Sequence, residues 1–175
     1  LSLHGDNVTS VTIQNIDTQP SVPDLSGFPQ EVQNLTLIFD NGPAVLPSLT
    51  VANLTVTANG ISLENKTTFL DISGVASFNA GLFGISVGYS GNGADQSTIG
   101  TLELTTTGEA GVNVFTQGPT TLGNISVGKG GLAVVVLNGA ITQLSGSSIT
   151  HAGGLTTVIY GQDGVDLSST SNDIP

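Results

Sequence analysis

The chain contains no cysteine, methionine, tryptophan or arginine, and its only strong bases are Lys66 and Lys129. Without cysteine there can be no disulfide, no thiolate metal site and no cysteine nucleophile. Thirteen carboxylates against two lysines give a net charge of −11. That balance excludes nucleic acid as a partner, since binding it requires a basic stripe that neutralises phosphates. It equally excludes attraction to anionic membrane surfaces. No uninterrupted apolar run reaches the eighteen or so residues of a spanning helix, so no membrane insertion is expected. Charged residues make up 9% and apolar residues 38%, the reverse of the balance that keeps a chain disordered. The first residue is Leu1 rather than methionine. Either a leader has been removed or the sequence is a shortened one; removal of a secretory leader is the simpler cause, and with it the mature chain is expected outside the cell or at its surface.

Glycine and the β-formers fill the space these absences leave. Gly111-Val-Asn-Val-Phe-Thr-Gln-Gly118, Gly131-Leu-Ala-Val-Val-Val-Leu-Asn-Gly139 and Gly154-Leu-Thr-Thr-Val-Ile-Tyr-Gly161 share one shape, a β-branched and aromatic run between glycines. Gly84-Ile-Ser-Val-Gly-Tyr-Ser-Gly91 has the same length as the first and third. Each of the three runs follows a short apolar step, Leu102-Glu-Leu104, Ile125-Ser-Val127 or Ile149-Thr-His151, the last with histidine in its second slot. Farther upstream, Asn34-Leu-Thr-Leu and Asn53-Leu-Thr-Val align as alternating strands, each followed by an Asn-Gly turn signal. Nothing shows a helical period, so the fold class is all-β. Two architectures fit: a β-solenoid with coils of about 20 residues, or a β-sandwich or jelly roll. Tandem similarity favours the solenoid.

Three regions follow. Residues 1–17 form an N-terminal strand or arm around Val8–Ile16. Residues 18–33 form a linker in which Pro20, Pro23 and Pro29 forbid a sheet interior. Residues 34–175 form the solenoid body with a short C-terminal tail. The strand at the N-terminus either folds back to cap this body or is donated to a neighbour.

No constellation of residues predicts catalysis. Gly84-Ile-Ser86-Val-Gly88 matches the nucleophile-elbow pattern, but that motif works on a strand-to-helix turn with a histidine and an acid nearby. Here no helix follows, and Ile-Ser-Val-Gly recurs at Ile125–Gly128, which suggests a repeat element. His4 and His151, the two imidazoles, read as surface or corner residues. Ser90-Gly91-Asn92-Gly93-Ala94-Asp95 resembles one degraded copy of the calcium-binding nonapeptide of RTX β-rolls. With the turn carrying Asp163 and Asp166 it makes Asp95, Asp163 and Asp166 weak calcium candidates, and calcium the only cofactor considered. Five sequons offer glycosylation sites at Asn7, Asn34, Asn53, Asn65 and Asn124. Thr55-Val-Thr57 and Thr105-Thr-Thr107 carry the Thr-x-Thr pattern of an ice-binding face, which needs a stacked column.

Taken together, Leu102–Gly161 and the Asn34 and Asn53 units resemble the β-solenoid and β-arch extracellular surface proteins of the filament, sheath and adhesin-stalk type. The resemblance lies in architecture. It implies a non-enzymatic subunit that pairs with itself, strand to strand, into a filament, sheath or coat. An adhesin or receptor-binding module recognising cell-surface glycans is the alternative, and a polysaccharide-active β-helix enzyme the third. Leu132-Ala-Val-Val-Val-Leu137 has the composition of a cross-β segment and is expected to be buried in the coil.

Overall fold

The computed structural model describes residues 8–16, 32–88, 97–153, 156–168 and 171–174. Among them are sixteen strands and no helix. Strand β1 (Ser10–Asn15) comes first. The next coil is β2 (Asn34–Phe39), β3 (Ala44–Leu46) and β4 (Leu49–Val51). A second holds β5 (Asn53–Ala58), β6 (Ile61–Leu63) and the start of β7 (Leu70–Ala80). The rest of β7, β8 (Ile85–Val87) and the start of β9 (Thr98–Thr106) form a third. The rest of β9, β10 (Val112–Gln117) and the start of β11 (Thr120–Val127) form a fourth. The rest of β11 leads to β12 (Leu132–Leu137) and β13 (Ile141–Gln143). The last coil is β14 (Ile149–His151), β15 (Thr157–Gly161) and β16 (Val165–Asp166).

All pairing between these strands is parallel, coil on coil, in a ten-stranded and a six-stranded sheet. This is the β-solenoid. A sandwich would pair sequence neighbours antiparallel. Strands β7, β9 and β11 turn a corner through register shifts at Ile72/Val75 and Leu122/Ile125, so one strand serves two faces of the coil. Such a shift bends the strand and re-aims the chain.

Alternation places one side chain in two inside, and parallel register stacks those into columns. Leu37, Val56, Phe78, Leu104, Ile125 and Ile149 form one continuous column, all buried. Val87, Val114 and Val134 form another on the opposite sheet. Full burial of each such side chain contributes about 1.5–3 kcal/mol, which lets a chain without disulfides hold its coil. At the ends the columns lose their cover. Val11, Ile13, Ile159, Leu167 and Ile174 pack against the core but are only partly buried.

The three glycine-fenced runs stack as expected. Val112 pairs with Ile85 and with Leu132, and Leu132 with Thr157. Register partners are 19 residues apart at Asn34 and Asn53 but 27 apart at Asp71 and Thr98. The irregular spacing therefore lies between strands, and the strands keep register. Two pairings correct the sequence reading. Ile125 pairs with Leu104 and Ser126 with Thr105, so the true partner step is Leu104-Thr-Thr106, two residues beyond Leu102-Glu-Leu104. The displacement coincides with the Leu122/Ile125 shift. The two Ile-Ser-Val steps are also not equivalent: Ile85–Val87 joins the six-stranded sheet, and Ile125–Val127 the ten-stranded one.

Strand β1 pairs in register with β2, Ser10 with Asn34 through Asn15 with Phe39. Most of the proline-rich segment, residues 18–31, lies outside the described residues. At the other end, Asp173 bridges to Thr150, and Asn172 exchanges amide hydrogen bonds of 2.8 Å in both directions with Gln143.

Candidate functional site

Ser86 sits mid-strand on β8, exposed, with its neighbours Ile85 and Val87 in the core. The glycines on either side of it, Gly84 and Gly88, both have left-handed φ, at 75° and 79°. They turn the chain into and out of a short strand. The elbow pattern thus has a conformational origin in the coil.

His151 is not a surface residue. It is 4% exposed and occupies the column position above Val127. Its Nε2 lies 2.6 Å from the Gly130 carbonyl and its Nδ1 2.7 Å from Thr157 Oγ1. A carbonyl only accepts, so Nε2 donates its proton to Gly130, and Nδ1 pairs with the Thr157 hydroxyl, which can serve as either donor or acceptor. The imidazole joins one coil's corner to the next strand on the other sheet. The apolar alternation of the step Ile149-Thr-His151 was the signal for an inward side chain there. Replacing His151 by valine would suit the column but leave the buried Gly130 carbonyl without its donor. We expect His151→Val to lower stability by about 1–3 kcal/mol in chemical denaturation. A neutral result would show that the bridge contributes nothing net.

Of the three calcium candidates the structure describes two. Asp163 lies in the turn after β15 and Asp166 on β16, both exposed, while Asp95 lies outside the described residues. Among the described residues no group of three or more His, Cys, Asp or Glu converges. His4 and Asn7 also lie outside them.

The other sequons fall into two classes. Asn34 and Asn53 are register partners, and Asn53 Nδ2 donates to Asn34 Oδ1 at 2.8 Å. Asn34 Nδ2 in turn donates to Ser10 Oγ at 3.1 Å, and Asn53 Oδ1 accepts from the Val75 amide at 2.9 Å. This amide ladder crosses three coils and engages the nitrogen a glycan would need. Asn65 is exposed in the loop between β6 and β7, its Oδ1 accepting from Thr67 Oγ1 (2.6 Å) and the Thr67 amide (2.9 Å). Asn124 is exposed, accepting from the Ser148 amide at 3.2 Å. Among these four, secreted protein from a glycosylating host is expected to carry glycan at Asn65 or Asn124 and none at Asn34 or Asn53. Site-resolved mass spectrometry checks this, and glycan on Asn53 in folded material would contradict the ladder.

The outer surfaces differ by face. On the ten-stranded sheet Thr57, Asn79, Thr105, Ser126 and Thr150 stack into a polar column. Thr55 belongs to the neighbouring column with Thr36, Ser77 and Glu103. Thr107 lies beyond the end of β9, so Thr-x-Thr occupies one rung of this face and does not repeat up it.

On the six-stranded sheet the outer positions become apolar toward the C-terminal coils. Phe115 pairs with Val135, and Val135 with Tyr160. Ala133 pairs with Val158, and Leu137 ends β12 beside them. Burial of Leu132–Leu137 therefore holds for alternate residues only. Leu132, Val134 and Val136 point in, while Ala133, Val135 and Leu137 face out and stay partly accessible. A side-chain period of two allows nothing else.

Comparison with known proteins adds a family and little more. The family model described as Repeats of unknown function (DUF5649) matches residues 32–96 and 110–175. The first segment covers β2 to β8 and the second β10 to β16. No curated protein and no solved structure matches the chain.

Proposed function

The chain belongs to that repeat family, and on this premise we propose that it is a non-enzymatic structural subunit, secreted and located at or beyond the cell surface. Its coils extend by strand pairing with the end of another copy, giving a filament, sheath or coat. The observation that carries the reading is the state of the coil's ends. Among the described residues β15 pairs only with β12 and β16 only with β13, and at the other end β1 pairs with β2. The inward side chains there, Ile13 and Ile159 among them, are only partly buried.

A row of unpaired backbone N–H and C=O groups is a template for another strand, and half-covered core columns add an apolar driving force to it. Natural monomers block such edges with charge or proline. Strand β15 reads Thr-Val-Ile-Tyr-Gly and carries neither. Charge repulsion from −11 per chain keeps copies apart in dilute solution and sets a concentration threshold for growth. Electron microscopy and sedimentation at neutral pH, with and without calcium, test the proposal. Rods that lengthen with concentration support it, and particles that stay monomeric at high concentration sink it.

A further inference from the structure

The six-stranded sheet differs from the rest of the surface in charge as well as in polarity. Its strands, β3, β6, β8, β10, β12 and β15, contain no charged residue at all. The ten-stranded sheet carries Asp71, Glu103 and Asp166 within its strands. Toward the C-terminal end the uncharged face turns apolar, with Phe115, Ala133, Val135, Leu137, Val158 and Tyr160 on adjoining rungs. Val158 is 43% exposed and Tyr160 50%. The remaining outer positions of that face are Ser62, Ser86, Asn113 and Gln117, neutral and polar, and Val45 at its N-terminal end.

We propose that this face is a lateral interface between two copies of the chain, packed sheet to sheet. The argument for a second copy is electrostatic. Every copy bears −11, so the side-by-side approach of two copies is least opposed through a surface whose strands carry no carboxylate. This face is such a surface, and a two-fold pairing brings the same patch of each copy against the other without placing like charges together. Opposed flat sheets pack about 10 Å apart with interleaved side chains, which suits alternating large and small residues such as Tyr160, Val135 and Ala133.

The size of the patch sets its strength. Three strands spaced ~4.8 Å, each about five residues long at ~3.3 Å per residue, outline roughly 240 Å². Stable interfaces bury about 800 Å² per partner. One pair of patches therefore makes a weak, reversible contact. The inference stands without end-to-end stacking. Should the coils also stack, the patches recur along each rod, and many weak contacts bundle rods side by side.

The absence of cysteine makes the test clean, because one introduced thiol is the only one. Val135→Cys places it at the centre of the patch, and Thr57→Cys places it on the exposed polar face. With a short bis-maleimide at high protein concentration, Val135→Cys should give at least five-fold more covalent dimer than Thr57→Cys. Adding Phe115→Ser and Tyr160→Ser to Val135→Cys should bring the yield down to the Thr57→Cys level, with the circular dichroism spectrum unchanged. Equal yields from the two single-cysteine proteins would overturn the proposal. Equal yields together with Tyr160-dependent sedimentation on phosphatidylcholine vesicles, or on an insoluble polysaccharide, would overturn it in favour of that other occupant. Electron microscopy of the unmodified chain reports stacking separately, so failure of one reading is distinguishable from failure of the other.

Discussion

Gly84→Ala is expected to unfold or severely weaken the coil, whereas Ser86→Ala, two residues away, leaves it intact. Two independent costs meet at Gly84. Its φ of 75° is left-handed, which costs an L-residue roughly 1–2 kcal/mol. A Cβ there would also press into the carbonyl oxygen of Gly111 and crowd Ala110 in the next coil. That carbonyl accepts the hydrogen bond from the Ile85 amide at 3.1 Å, so relieving the clash means parting β8 from β10. Together these exceed about 3 kcal/mol, a large share of the 5–15 kcal/mol that holds an ordinary domain. Ser86 points to solvent and makes no core contact, and its loss should fall within about 0.5 kcal/mol. Denaturant midpoints of the two variants decide the matter. A hydrolase would give the opposite dependence for function, with Ser86→Ala abolishing turnover of an ester substrate.

That pair of residues also shows what was legible in the sequence. The glycine-fenced runs announced strands, and their stacking into one sheet followed from shared length and shape. The asparagines opening two aligned strands proved to be register partners joined by their side chains. Alternation and glycine placement are local, so a single chain displays them. Register across a corner is not local. The Leu122/Ile125 shift moved the partner of Ile125 from Leu102 to Leu104, and nothing in either segment marks the extra residue as belonging to the corner. The identity of the face is not local either. Ile85–Val87 and Ile125–Val127 read alike, because both sheets ask for an inward residue, an outward residue and another inward one.

His151 shows a different limit. Polarity suggested the surface, but the position is set by alternation, and burial followed once the Gly130 carbonyl and the Thr157 hydroxyl supplied both ring nitrogens. Sequence can mark an inward slot. It cannot show that two partners from other strands converge on it. The outer apolar face was hidden for the same reason. Phe115, Val135 and Tyr160 lie in three separate runs and become one surface only when those runs are in register.

Blocking one end of the coil should stop assembly while leaving the subunit folded. Ile159 lies on β15 with its side chain directed inward over the core column, above Val134, and only partly covered. In Ile159→Lys the subunit loses a fraction of the 1.5–3 kcal/mol that full burial of isoleucine provides, so the coil survives. A second copy arriving at that edge would have to bury an ammonium group in an apolar column, which is far more costly than the pairing gains. Lysine is also the residue by which natural edge strands refuse partners. Ile13→Lys should have the same effect at the opposite end, where Ile13 pairs with Leu37 and is likewise half-covered. These two ends are different surfaces, so the proposed contact between copies would be head to tail and open-ended. Each variant alone should therefore remain monomeric, although each keeps one competent end. Mixed in equal amounts they should form dimers and nothing longer, because the free end of one meets the free end of the other. Sedimentation velocity separates these outcomes. Rods that persist in Ile159→Lys, or a mixture that stays monomeric at concentrations where the unmodified chain grows, would remove strand pairing at the coil ends as the mode of assembly.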